Sequence, residues 1–150
     1  MSMRQSSLKV HAGSTRSRLI AEHAALAHER RENLQARLLR EAMPLAHAAQ
    51  LTGSSEGHLR RLVASGDAIA VAVEGRLLLP TWQLRANAVA PVVPGVRRLV
   101  RAFPGDIMML HCWVTRASAD LGGDAPATAL QRGQVDVVAS LAASIGAAGR

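Results

Sequence analysis

Aromatic side chains are nearly missing from this 150-residue chain, which has no Tyr, one Phe and two Trp. The core must therefore be built from Leu, Val and Ala, a choice that is thin in apolar area per residue. One cysteine, Cys112, excludes an internal disulfide framework and a multi-cysteine zinc site. No apolar run approaches the ~20 residues of a membrane-spanning helix; Ala68–Val73 and Val135–Ala143 are among the longest. Met1 to Ser17 is basic and polar with no apolar core of a secretory signal, so a cytoplasmic protein is expected. The length leaves no room for a two-domain dinucleotide enzyme or a (β/α)₈ barrel of ~250 residues.

Catalytic and metal signatures are scarce as well. The six histidines include no i, i+4 pair and no H-E-x-x-H. Gly122-Gly123 lacks the Lys-Ser/Thr of a phosphate loop. Gly53-Ser54-Ser55-Glu56-Gly57 spells G-x-S-x-G, but a nucleophile elbow needs a strand before it, and Leu45–Leu51 reads as helix. Cys112 reads as a small buried apolar side chain, with Arg116 four residues on as the cation that would activate it otherwise. No enzyme activity, cofactor or metal is expected. A small enzyme would have to use Cys112 or His111.

What the chain has is arginine. Seventeen of the eighteen basic residues are Arg, against eleven acidic residues, for a net charge of +7. Such an excess favours a polyanionic partner. Residues 1–17 are expected to be a flexible basic arm whose Arg4, Lys9 and Arg16, with Arg18, can track phosphates. Arg18–Met43 is rich in good helix formers and predicts one long helix, packed on the domain or on a second subunit. Leu45–Leu51 and Ser54–Ser65 predict two short helices around Gly53, with Ser54 or Ser55 capping the second and Gly66 ending it. Leu59, Leu62 and Val63 then face inward, which turns Gly57, Arg60, Arg61 and Ala64 outward with His58 at the flank. Ala68–Val73, the turn Glu74-Gly75 and Arg76–Leu79 predict a hairpin.

That order of helix, turn, helix and hairpin points to DNA. Arg60 and Arg61 can read guanine, Ser54 and Ser55 can meet phosphates, Gly57 allows close approach, and Arg76 can reach a neighbouring phosphate or the minor groove. From Pro91 the composition shifts, and helices are expected near 96–103, 107–119, 126–132 and 134–145. The fold class expected is mainly α: an N-terminal helix and a winged helix–turn–helix over 18–90, then a helical domain over 91–150.

Two stretches resemble known families. Leu45–Pro80, with A-x-x-L-x-G-S, then R-R-L-V-x-x-G, then a hairpin with G-R and a closing Pro, is similar to the excisionase or MerR-like winged helix–turn–helix. Pro80-Thr81-Trp82-Gln83 and Pro94-Gly95-Val96 resemble the sequel in small bacterial antitoxins. Trp113, Leu121-Gly122-Gly123-Asp124-Ala125-Pro126, Ala129-Leu130, Gly133 and Val137-Val138 resemble the Xre/MbcA/ParS-type toxin-binding domain. Gly122 and Ala125 depart from the pattern, and Ala125 stands where a Ser or Thr would cap the following helix. The resemblance implies an antitoxin of a type II toxin–antitoxin pair, usually dimeric. It would bind a cognate toxin, a RES-domain NAD-degrading enzyme or a PIN-domain ribonuclease, and repress its own operator. Trp113, Arg116, Leu121, Asp124, Pro126 and Leu130 would build or flank the toxin surface, with Trp113, Leu121 and Leu130 expected to be packed and Arg116 and Asp124 the better candidates for direct contact. The alternative is a stand-alone regulator whose C-terminal part dimerises.

Overall fold

The computed structural model describes the backbone of residues 2–148 and the side chains of residues 15–146. The chain is mainly helical, with a small three-stranded antiparallel sheet. It divides into two compact units, Met1–Gln35 and Ala36–Arg150.

The first unit is helix throughout its described length, part of α1 (Ser2–Arg40). The segment expected as an arm is therefore helical from Ser2. The side chains of Arg4 and Lys9 lie outside the described residues. At the other end the expected helix stops early. After Arg40 the chain turns into a short strand, β1 (Ala42–Pro44), where the composition predicts continued helix to Met43.

The second unit opens with β1 and two short helices, α2 (Leu45–Thr52) and α3 (Glu56–Ser65), as expected from the apolar spacing. The hairpin follows: β2 (Val71–Val73) and β3 (Arg76–Pro80), joined by Glu74 and Gly75, both at positive φ. Two consecutive left-handed residues make the tight turn whose twist matches antiparallel strands. β2 starts at Val71, not Ala68, because the Ile69 N–H and carbonyl are bonded to the Gln83 side chain and not to a neighbouring strand. The sheet order is β1-β3-β2, with Met43 opposite Leu79 and Ala72 opposite Leu77. Three residues ending in proline carry almost no strand signal, so nothing local in the sequence marks β1. It is held further by Thr81, whose N–H and hydroxyl both donate to the Glu41 carbonyl, at 2.9 and 3.0 Å.

Beyond β3 come a 3-10 turn (Thr81–Gln83), α4 (Val96–Ala102), α5 (Ile107–Val114), a second 3-10 turn (Ala119–Leu121), α6 (Pro126–Gln131) and α7 (Val135–Ala148). The helix expected over 107–119 thus stops at Val114, capped by Thr115. Residues 89–94 do not form a break in the packing. Pro91 and Val93 are hydrogen-bonded back to Arg85 and Gln83, at 2.8 Å each. One hydrophobic cluster runs across them, from Leu45, Leu59 and Leu79 through Val93, Val96 and Leu99 to Leu130, Val138 and Ala142. Gly95 explains its own place in the Pro94-Gly95-Val96 motif: its φ is +88°, and an added Cβ would collide with Val135 of α7.

Gln83, from the Pro-Thr-Trp-Gln motif, is fully buried and acts as a surrogate strand partner. Its Oε1 accepts from the Ile69 N–H at 2.8 Å and its Nε2 donates to the Ile69 carbonyl at 2.6 Å. Gln83→Ala would leave both backbone groups buried and unpaired. At about 1–3 kcal/mol for each orphaned group, urea unfolding is expected to show a loss of about 2–6 kcal/mol. A loss under about 1 kcal/mol, the low end of that range, would mean that the pair contributes little.

Candidate nucleic-acid interface

The link between α2 and α3 is built from four polar residues. Thr52 donates back to the Ala48 carbonyl at 2.7 Å, and its oxygen accepts from the Ser54 N–H at 3.3 Å. Gly53 takes φ +72°, with nothing near its absent Cβ, so the turn asks for backbone freedom and not for a close contact. Ser55 caps α3 by accepting from the His58 N–H at 3.1 Å. Its hydroxyl proton stays free to donate to a phosphate. Glu56, exposed in the first helical turn, repels an anion there, so the helix start is a poorer phosphate seat than the serines alone suggest.

Leu59 is fully buried, with Leu62 and Val63 half-buried against the core. That packing leaves Gly57, Arg60 and Arg61 exposed on the other face, as the helical spacing requires. Among the described residues neither arginine makes an ion pair or hydrogen bond. By contrast Arg37, Arg97, Arg98 and Arg132 are all paired with carboxylates. His58 is half-buried and, with Leu62 and Asp67, lines an open cleft of about 460 Å³ beside residues 89–95. Arg76 is exposed at the start of β3, next to the turn. Ser54 is half-buried.

No family model, curated protein or solved structure matches the chain. The chemistry therefore rests on its own geometry. Among the described residues no three His, Cys, Asp or Glu come together as a metal site. No helix of the described residues is long and apolar enough to cross a membrane.

The residues expected to meet a protein partner have diverse environments. Leu130 and Pro126 are buried. Trp113 and Leu121 are half-buried against the core, Trp113 tilted on Phe103 at 5.6 Å between ring centroids. Asp124 is half-buried and accepts from Arg132 at 2.7 Å. Of these six, Arg116 alone is exposed, and no ion pair or hydrogen bond holds its side chain among the described residues. Ala125 caps α6 without a side-chain bond, though its backbone (φ −75°, ψ 150°) has the extended geometry of a capping residue. Ala125→Ser should therefore stabilise the fold by about 0.5–2 kcal/mol, read as a higher urea midpoint; an unchanged midpoint would show that α6 needs no cap.

Sequence reasoning missed an exposed stripe on α7. Val137 and Ile145 are 48% and 37% exposed, with half-buried Leu141 between them at helical i, i+4, i+8 spacing. The signal is present in the spacing, but the inward set Val138, Ala139 and Ala142 on the same helix masks it.

It also missed a polar cluster joining the end of α1 to α5. Arg37 donates to Glu41 at 3.0 Å and to Thr115 at 3.1 Å, and its Nη1 lies 3.8 Å from the Cys112 sulfur. The cation beside the thiol is thus Arg37 from a distant part of the chain, and Cys112 itself is buried. Glu41 also meets Nε2 of His111 at 3.2 Å. Burial pushes the His111 pKa down, the Glu41 carboxylate opposes this, and Arg37 adds to the depression. Nδ1 of His111 is buried without a partner. For Glu41, burial acts to raise the pKa, but the Arg37 hydrogen bond and the His111 and Arg37 charges carry it below the ordinary value.

Both shifts have the same consequence for stability. The unfolded chain takes up a proton on His111 at an ordinary pKa of ~6.5, while the folded chain resists it. Stability from this site is therefore present above ~6.5 and is lost as pH falls toward the depressed folded value. Urea titrations on either side of the unfolded ~6.5, at about pH 7.5 and about pH 5.5, are expected to show the loss. His111→Gln, which cannot titrate, should flatten it. Equal pH dependence in the two proteins would place the effect elsewhere.

Proposed function

We propose that the chain is a DNA-binding antitoxin: α2, the Gly53 turn and α3 act as a helix–turn–helix, the β2–β3 hairpin is its wing, and the α5–α7 region engages a toxin. The observation that carries the reading is the pair Arg60 and Arg61, exposed and unpaired on a short capped helix whose underside is buried. Arginine presents a planar fork that matches guanine edges and phosphates, and two such forks stand next to each other on α3. Arg76 in the wing extends the contact to the flanking backbone. Ser55 adds a neutral donor.

For the toxin, support comes from the resemblance of Leu121–Pro126 and its sequel to a toxin-binding domain, and from the apolar stripe Val137, Leu141 and Ile145 on α7. Exposed aliphatic residues in a row suit the dry centre of a protein interface. Arg116 supplies a charged rim contact. The toxin is an enzyme of the RES or PIN class, held by direct binding. The protein acts as a homodimer on operator DNA and needs no cofactor.

Co-expression with the neighbouring open reading frame tests this. The expected result is rescue of growth from that gene's product and a complex of the two proteins that shifts the DNA upstream of the operon. DNA binding without any complex or rescue would instead make the chain a stand-alone regulator.

A further inference from the structure

The cleft of about 460 Å³ lies between two unlike walls. One is the run of residues 89–95; the other is His58 and Leu62 of α3, with Asp67 beyond the helix end. The long wall has a free strand edge. Val92 stands opposite Leu84 in an isolated antiparallel bridge. The bonds that flank this pair run from the Arg85 N–H to the Pro91 carbonyl and from the Val93 N–H to the Gln83 carbonyl. In such a pair the N–H and C=O of the two central residues point outward, away from each other. On the Leu84 side both groups are used. The N–H donates to the Thr81 carbonyl at 3.1 Å, and the carbonyl accepts from Nε2 of Gln131. On the Val92 side neither group has a partner among the described residues, although Val92 is only 6% exposed. Val92 lines the cleft, whereas Gln83, Leu84 and Arg85 do not, so the outward edge faces the cleft.

Backbone groups withdrawn from water are nearly always paired, and this pair specifies what it takes. A donor and an acceptor on one extended residue match the C=O and N–H of one residue in a second extended chain. A trough with a strand edge on one side and a helix on the other is the geometry of strand addition. The trough is also neutral and apolar. Asp67 is already shared by the Ser65 hydroxyl and Arg97, at 2.9 and 3.2 Å, and Leu62, Pro91 and Pro94 supply apolar surface. We propose that an extended, uncharged peptide segment of a partner protein inserts between α3 and residues 91–93, exchanges both hydrogen bonds with Val92 and lays an aliphatic side chain on Leu62. Pro94 has no N–H, so the ladder gains no further donor there, and recognition centres on Val92. The inference goes beyond the antitoxin reading and does not depend on it.

The test uses the full-length, isotopically labelled chain and a displayed library of random heptapeptides of uncharged residues. Selected peptides are expected to share an aliphatic residue. Made synthetically, they should shift the Val92 amide resonance and slow its exchange with solvent at least tenfold. N-methylation of the bound peptide, one residue at a time, should weaken binding at least tenfold where the N–H donates to the Val92 carbonyl, a change that leaves the protein itself untouched. A library that yields no binder would overturn the proposal. So would a set of selected peptides that all leave the Val92 amide unmoved, or that all tolerate N-methylation at every position.

Discussion

Replacing Arg60 and Arg61 together by alanine is expected to weaken binding to the chain's own upstream DNA by about 100-fold or more, while toxin neutralisation is retained. A good bidentate arginine–guanine pair contributes ~1–3 kcal/mol of discrimination, and both side chains lie free on α3. Stability should hardly change, because neither residue packs into the core. Salt titrations add a second readout. Removing one arginine–phosphate pairing lowers the slope of log K against log salt by ~0.9, whereas removing base recognition narrows the gap between operator and random DNA. An Arg60/Arg61 variant that binds its operator as tightly as the wild type would remove α3 from the interface.

Leu130→Ala should be strongly destabilising. The side chain is fully buried within the cluster that joins Leu59 and Leu79 to Val138 and Ala142. Leu-to-Ala changes in cores cost ~2–5 kcal/mol. Gln131, next to it, donates to the carbonyls of Trp82 and Leu84 at 3.2 Å each, and Arg85 returns a bond to the Gln131 carbonyl at 2.8 Å. The α6 region and the residues after the hairpin are thus one packed body. Calorimetry of Leu130→Ala is therefore expected to show one transition at lower temperature, with DNA binding lost along with it. Two separated transitions, the DNA-binding one unmoved, would mean that the halves fold independently.

Local rules are legible where one helix buries one face. Leu59, Leu62 and Val63 at i, i+3 and i+4 place Arg60 and Arg61 outside, and Gly53, Gly66 and the Glu74-Gly75 turn carry the backbone signs expected of them. What is not legible depends on residues far apart in sequence. β1 exists because β3 offers it an edge. Gln83 is structural because Ile69 lies opposite it, fourteen residues earlier in the chain. Arg37 meets Cys112 and Thr115 across more than seventy residues. The change of composition near Pro91 suggests a boundary, but Arg85 and Gln83 bind that segment back, so the core continues through it. Leu130 is packed, as expected of it, and Pro126, which the motif puts beside the partner surface, is buried as well.

The outward face of α3 can be tested by position. Gly57 lies on it, and a side chain added there would meet only the Arg61 guanidinium, at 3.7 Å, an ordinary contact. With Cys112 replaced by Ser, a cysteine introduced by Gly57→Cys would be the only thiol and could carry a photo-crosslinker. Exposed Val137 on α7, as Val137→Cys, serves as the comparison site. Irradiation on the upstream duplex is expected to give a crosslink from position 57 and little from position 137. Crosslinking from 137 with none from 57 would contradict the assignment of α3 to DNA.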